Sequence, residues 1–369
     1  LEPVAENTRA GKTTIRDEEI AGGLIVHLGS HVAVVMEDRP PLGVLDRNDI
    51  VAHQLEGAPE MLSLGQLLAS RKTERFDLLR VPNESAGTDL MIGGDVMLGR
   101  TVGVEIERGS DPFAGIRPQL ERASNRLVNL ECVLSDKGLA TAGKRYCFRA
   151  PLDAIRVLTA ARINAVSLAN NHAGDFGQEG LLDMIARLEG NKISAIGANE
   201  TPLIFTTRTG AKAALIAVDD TSAAADRDGV AAIIADARRQ ASFVLVFVHW
   251  GEENISNVTE RQRDLARWLI DHGADAIAGS HPHCVQPFDS YHGRPIFYSL
   301  GNLVFDGAPN LPAWNRGNLL EVDLSPARPA FRLVPVQLDA RGFPQLATPG
   351  EKIFATAGAA FSRNRVQGA

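Results

Sequence analysis

The sequence predicts an α/β fold preceded by a small α/β module, on three observations. Beyond Asp89, short apolar runs that read as buried strands alternate with amphipathic helical stretches. A turn-rich segment, Pro82-Asn83-Glu84-Ser85-Ala86-Gly87, separates that pattern from what precedes it. A chain of 369 residues with 44% hydrophobic content can bury one large core and still supply a small second domain.

Residues 1–20 are polar and unpatterned and read as a flexible tail. Within them Gly11-Lys12-Thr13 lacks the upstream glycine of a phosphate loop. Residues 21–81 read as the accessory module, with strands at Leu24–Leu28 and Val32–Val35 and a helix starting near Asp46. The stretch Ala33 to Ile50 faintly resembles half of a CBS-type regulatory module, which binds adenine nucleotides as a pair of repeats. No second repeat follows, so a structural accessory role is the preferred expectation.

Residues 89–345 form the main domain. Its expected strands are Leu90–Gly94, Leu127–Leu130, Ala165–Leu168, Ile193–Ile196, Ala213–Val218, Phe243–Val248, Ala276–Gly279 and Pro295–Ser299. Thr259 and Gln262 have capping-box spacing, apolar residues recur through Leu265, Trp268 and Leu269, and Gly273 supplies a stop, so one helix spans this interval. Gly317 to Leu338 reads as strands again, and residues 346–369 as a weakly patterned tail.

The formal charge of -7 and scattered Lys and Arg leave no electrostatic footprint for nucleic acid. Cys132, Cys147 and Cys284 are too few and too far apart for a disulfide framework or a thiolate zinc site, which points to a reducing, cytoplasmic setting. Export stays open because Leu1 need not be the native start. No run approaches the roughly eighteen apolar residues of a membrane span.

Chemistry concentrates at strand ends. Asp95 follows Leu90-Met91-Ile92-Gly93-Gly94 and suits either a metal ligand or a turn cap. Glu131 closes Leu127-Val128-Asn129-Leu130. Asn170-Asn171-His172 follows another apolar run, where an amide oxygen can ligate a hard cation beside a proton-shuttling imidazole. The alternative there is an Asx turn. His249-Trp250-Gly251 ends a strand, and His281 and His283 alternate in an irregular turn that can aim both rings inward. Together these groups predict a metal site. Arg149 and Lys144 lie in a basic segment, and Arg149 suits either an anion clamp or a surface position. Trp250 either walls the pocket or fills the core.

The order of these motifs is recognisable. Gly94-Asp95-Val96-Met97-Leu98-Gly99-Arg100, Asn129-Leu130-Glu131, Ser167 to His172, His249-Trp250-Gly251, Gly279 to His283 and Ile296 to Asn302 resemble the poly-γ-glutamate capsule-synthesis family, the CapA-type branch of the calcineurin-like metallophosphoesterases. The resemblance covers roughly Asp89 to Val336. It implies a four-layer α/β/β/α sandwich with metal ligands on loops at the ends of two facing sheets. By position, Asp95, Glu131, Asn171, His249, His281 and His283 become the ligand set for one or two divalent ions (Mn, Zn, Fe or Ca), and His172 the general acid. Lys144, Arg149, Asn170 and Trp250 become substrate-side residues. Met97 stands where ordinary metallophosphoesterases carry a histidine, and Glu131 replaces their bridging aspartate, so one tight site with a weaker second site is expected.

The functional expectation is a metal-dependent hydrolase acting on a phosphate ester or on a peptide or poly-γ-glutamate-type polymer, within a cell-surface polymer synthesis complex. Two alternatives keep the metal. One is a peptide Cα epimerase like the related lasso-peptide epimerase, and the other a non-catalytic polymer-binding component.

Overall fold

The computed structural model describes residues 87–347 except 199–200, 309, 312 and 325–328. Ahead of these it describes the backbone of residues 2–8, 13–14, 24–27, 32–37, 44–45, 50–53, 60–70, 72 and 76–80. Contacts divide the chain into two units, one mainly of residues 1–87 and one mainly of residues 88–325 and 331–355.

In the first unit six strands form an antiparallel sheet in the order Glu2–Thr8, Phe76–Arg80, Leu24–His27, Val32–Glu37, Ile50–His53, Glu60–Ser63. Two expectations are corrected. Residues 2–8, read as tail, form an edge strand, because backbone pairing to Phe76–Arg80 needs no apolar signature on the added strand. The helix expected near Asp46 gives way to the strand Ile50–His53, paired on both sides. The unit's helix comes later, at Leu64–Ser70. There Ser63 and Gln66 form a reciprocal cap, and Leu64, Leu67 and Leu68 are buried at helical spacing.

The second unit is a sandwich. One sheet has eight strands, in the order Ser194–Ile196, Ala165–Ser167, Ala123–Leu130, Thr88–Val96, Arg316–Asp323, Ala330–Leu338, Pro344–Leu346, with Asn302–Val304 also paired to Thr88–Val96. The other has six, in the order Leu203–Thr206, Lys212–Asp219, Phe243–His249, Ala276–Ser280, Arg294–Phe297, Phe288–Tyr291. The strands at the centre of the second sheet run parallel, which explains their unbroken apolar runs. Leu203–Thr206, Phe288–Tyr291 and Asn302–Val304 escape sequence reading because they are short and lack strict alternation.

Alternation along the strands builds three apolar layers. On Phe243–His249, Phe243, Leu245 and Phe247 enter the cluster between the sheets, whereas Val244, Val246 and Val248 enter a second cluster under the helices Arg227–Gln240 and Glu260–Asp271. On Ala123–Leu130, Leu127 joins the central layer, while Val128 and Leu130 face the helices Arg100–Glu107, Ala154–Ala160 and Gly177–Gly190. Three cores between four layers make the α/β/β/α sandwich that the resemblance implies. Among the described residues, no helix is long and apolar enough to cross a membrane. Residues 348–369, most of the expected C-terminal tail, lie outside the described residues.

Two local devices hold this frame. Thr259 caps Glu260–Asp271 with the full capping box to Gln262. Gly94 lets the Gly301 backbone approach so closely that a Cβ there would lie 1.8 Å from the Gly301 carbonyl oxygen. Thr259→Ala is expected to lower stability by about 1 kcal/mol, read by chemical denaturation. Gly94→Ala is expected to lower it by clearly more, because the obstacle is backbone; equal losses in the two variants would contradict that close approach.

Candidate metal centre

Strand parity delivers the polar side chains to the space between the sheets. Beyond Leu127 the same face carries Asn129 and Glu131; beyond Phe247 it carries His249; beyond Ala276 and Ala278 it carries Ser280. Asp95 requires a bulge to join them. Ile92 pairs with Leu127 and Asp95 with Asn129, so three residues on one strand oppose two on its neighbour. That extra residue, in the Gly93-Gly94 pair, turns Asp95 from the helix side to the inter-sheet side.

The groups converge. Ligand atoms of Glu131, His249 and His281 lie within 4.8 Å of one another, as do those of Asp95, Glu131 and His283, and those of Glu253, His281 and His283. Glu131 Oε1 is 3.6 Å from His283 Nε2, 3.9 Å from His172 Nε2 and 4.0 Å from His249 Nε2. His281 and His283 adopt φ of 94° and 54°, a left-handed backbone that side chains seldom accept, flanking Pro282 in the turn.

Surrounding amides and hydroxyls orient the rings of His283 and His249. Asn302 donates through Nδ2 to the carbonyls of Trp314 and His283, so its Oδ1 accepts from His283 Nδ1 at 2.9 Å and leaves Nε2 facing Glu131. His249 Nδ1 lies 2.9 Å from Ser280 Oγ, and its Nε2 is 3.0 Å from Asn171 Oδ1, so an imidazole nitrogen and an amide oxygen point at one place. Asp95 accepts from Asn129 Nδ2 at 2.8 Å and from the His281 N–H at 3.1 Å.

Burial sets the charges. It drives the Glu131 carboxyl well above its ordinary range, with His283 opposing and Asp95 adding to the shift. It also pushes His249 and His281 down, keeping both neutral as ligands must be. His283 resists burial and rises to about 9, because Glu131 and Asp95 both attract its charge. For Asp95, burial is outweighed by His283 and His249, holding it well below the usual carboxylate range.

This cluster fits a divalent cation. Both Glu131 carboxylate oxygens and His281 Nδ1 are buried with no hydrogen-bond partner. Mixed carboxylate and imidazole donors suit zinc, iron or manganese. Beside the cluster, His172 Nδ1 lies 2.8 Å from Asp175 Oδ2, so the carboxylate holds a proton on Nδ1 and Nε2 is turned towards Glu131. Asp175 is pinned in turn by Lys144 and by the Phe148 N–H at 2.6 Å. Phe148 lies tilted against the His172 ring, with 4.2 Å between ring centres.

The substrate-side expectations fare differently. Trp250 is fully buried in the core under the helices and donates to the Tyr298 carbonyl at 2.7 Å. Alternation explains this, since the residue after His249 must face away from it. Asn170 donates to Asn129 Oδ1 and the Leu130 carbonyl and accepts from the His172 N–H, so its side chain orients the cluster. Lys144 bonds Asp175 and the Asn171 carbonyl. Arg149 donates to the carbonyls of Lys137 and Gly138 and lies over the Phe176 ring, which pins the loop instead of reaching the cluster. Met97 packs in the helix-side core, where its sulfur accepts the Gly99 N–H. Sequence reading missed Asn129, Asp175, Ser280, Asn302 and Glu253. Strand parity was the available signal for Asn129, two residues before Glu131, and for Ser280, two residues beyond Ala278.

The family of the chain follows from comparison with known proteins. Residues 89–307 match the family described as Bacterial capsule synthesis protein PGA_cap. Among curated relatives, the chain is 32% identical over 235 residues to the PGA biosynthesis protein CapA of Bacillus subtilis (strain 168), covering 58% of this chain and 62% of that protein. It is 31% identical over 240 residues to the capsule biosynthesis protein CapA of Bacillus anthracis, covering 58% of each. The chain thus spans about three fifths of the length of these relatives. With the family match extending over more than half of its residues, and with Asp95, Glu131, His249, His281 and His283 all inside the matched span, the chain belongs to the bacterial capsule synthesis protein PGA_cap family.

Proposed function

We propose that this chain is a metal-dependent hydrolase acting in the synthesis of a capsule-type anionic polymer, on a phosphate ester or a peptide-type bond. One observation carries the reading: Glu131 is a fully buried carboxylate with neither oxygen hydrogen-bonded, ringed by four imidazoles, those of His172, His249, His281 and His283, and a second carboxylate. His283 offers it one positive charge at 3.6 Å, and a divalent cation would satisfy the two unbonded oxygens directly. The Bacillus relatives, named for PGA and capsule biosynthesis, support the polymer context.

Asp95, Glu131, His249, His281 and His283 would hold the ion, with Asn171 Oδ1 adjacent and Glu253 at the exposed side. When bound, the ion would polarise a phosphoryl or acyl oxygen and make water more acidic. His172 supplies the proton. Asp175 holds the Nδ1–H, so that in the doubly protonated ring it is the Nε2 proton, on the cluster side, that passes to the leaving group. Asn170 braces Asn129 and the His172 backbone, holding the two halves of the site in register.

Loaded with Mn²⁺ or Zn²⁺ and dialysed, the wild-type chain is expected to retain metal by elemental analysis. Glu131→Gln is expected to lose affinity by at least roughly 10–100-fold, the range seen even for groups that only support ligands. Full metal retention by Glu131→Gln would remove the proposed ligand set.

With aryl-phosphate and phosphodiester substrates, His172→Ala is expected to lower kcat by about 10²–10⁴-fold while leaving metal content unchanged. His281→Ala is expected to lower both. Hydrolysis that survives both substitutions would rule out this mechanism.

A further inference from the structure

Arg100 closes the Gly94-to-Arg100 motif, yet it belongs to neither the metal cluster nor the proton relay. It is the first residue of the helix Arg100–Glu107 and carries φ of 51°, a left-handed conformation unusual for any residue but glycine. Its side chain is held from two sides. Nε pairs with Asp306 Oδ2 at 2.8 Å, and the guanidinium carbon lies 5.7 Å from the centre of the Phe148 ring. Asp306 is itself anchored, accepting the Val102 N–H on Oδ1 and the Trp314 indole N–H on its backbone oxygen.

These contacts set the guanidinium on the flank of the site. Phe148 lies against His172 and meets Phe305 edge-on at 5.8 Å, and Phe305 lies 4.9 Å from His283. One aromatic ring therefore separates Arg100 from the residues assigned to the chemistry. Its side chain is 53% exposed, and among the described residues no hydrogen bond reaches Nη1 or Nη2. A guanidinium fixed at Nε with both terminal nitrogens open is a preformed fork for a carboxylate or phosphate. By contrast, Lys144 and Arg149 already bond to groups of the protein.

The geometry points to Arg100 as the clamp for an anionic group of the substrate. This rests on the hydrolase reading above, in which His172 and the cluster receive the reacting bond. The intervening ring keeps the clamped group apart from that bond, so the substrate class is a molecule with a second anionic group flanking the point of attack. A chain of repeated carboxylates or phosphates meets that requirement.

Binding is tested on the intact, metal-free chain, so the outcome does not depend on metal or turnover. Line broadening of inorganic phosphate in phosphorus NMR and saturation transfer to glutarate both detect weak association, and they separate a phosphate from a carboxylate preference. Wild type is expected to bind at least one of the two. Arg100→Gln is expected to weaken that binding about tenfold or more, Arg100→Lys to weaken it less, and a folded Arg149→Gln to leave it unchanged. Melting temperatures are read first, and Arg100→Lys decides the matter if the glutamine variant does not fold. Should wild type bind neither anion, should Arg100→Lys bind as tightly as wild type, or should Arg149→Gln be the variant that loses binding, the clamp is wrong. Loss of metal uptake or hydrolysis with anion binding intact would instead overturn only the hydrolase reading.

Discussion

A carboxylate removed from water must find hydrogen-bond donors, a positive charge or a proton, and Glu131 has no donor at all. The arrangement around it follows from that constraint. Against its burial, Glu131 near Nε2 and Asp95 near Nδ1 raise the pKa of His283 to about 9, while burial pushes His249 and His281 down. A divalent cation would meet the same electrostatic demand as a proton on His283, and Asn302 and Ser280 already orient His283 and His249.

Supporting such a cluster requires rigid delivery from both sheets. The eight-stranded sheet contributes Asp95 and Glu131, and the six-stranded sheet contributes His249 and, from the turn after Ala276–Ser280, His281 and His283. Because each side chain sits at the end of a strand whose preceding residues are packed in the central apolar layer, its position is fixed by core packing. The two exceptions are where the backbone departs from regularity. A bulge re-aims Asp95, and positive φ re-aims His281 and His283. Irregular backbone and assigned ligands coincide.

The proposed proton donor has a similar two-tier construction. His172 faces Glu131, Asp175 stands behind it, and Lys144 and the Phe148 N–H secure Asp175. Residues that sequence reading assigned to substrate, Lys144, Asn170 and Arg149, are instead bound to protein groups that position the site. Arg100, which motif order alone did not distinguish, retains open hydrogen-bonding capacity beside it.

Much of the main domain was legible in the chain itself, because a central strand buried on both faces writes a continuous apolar run and a well-capped helix writes Thr259 and Gln262 three residues apart. The same reading placed Asp95, Glu131 and the three histidines at strand ends, each with a non-ligand alternative, and the family order of the motifs joined them into one ligand set. It failed where local sequence carries no trace of the partner: the edge strand Glu2–Thr8 depends on pairing with residues some seventy positions away, and Asn302 is aimed by Trp314 and His283. The sequence by itself thus determined the strand order of the chemistry and the residue types available for it. Only the tertiary structure decided which side chains face one another, because that depends on the parity of each strand, a single inserted residue before Asp95, and the hydrogen bonds that claim Trp250, Asn170 and Arg149 for the scaffold.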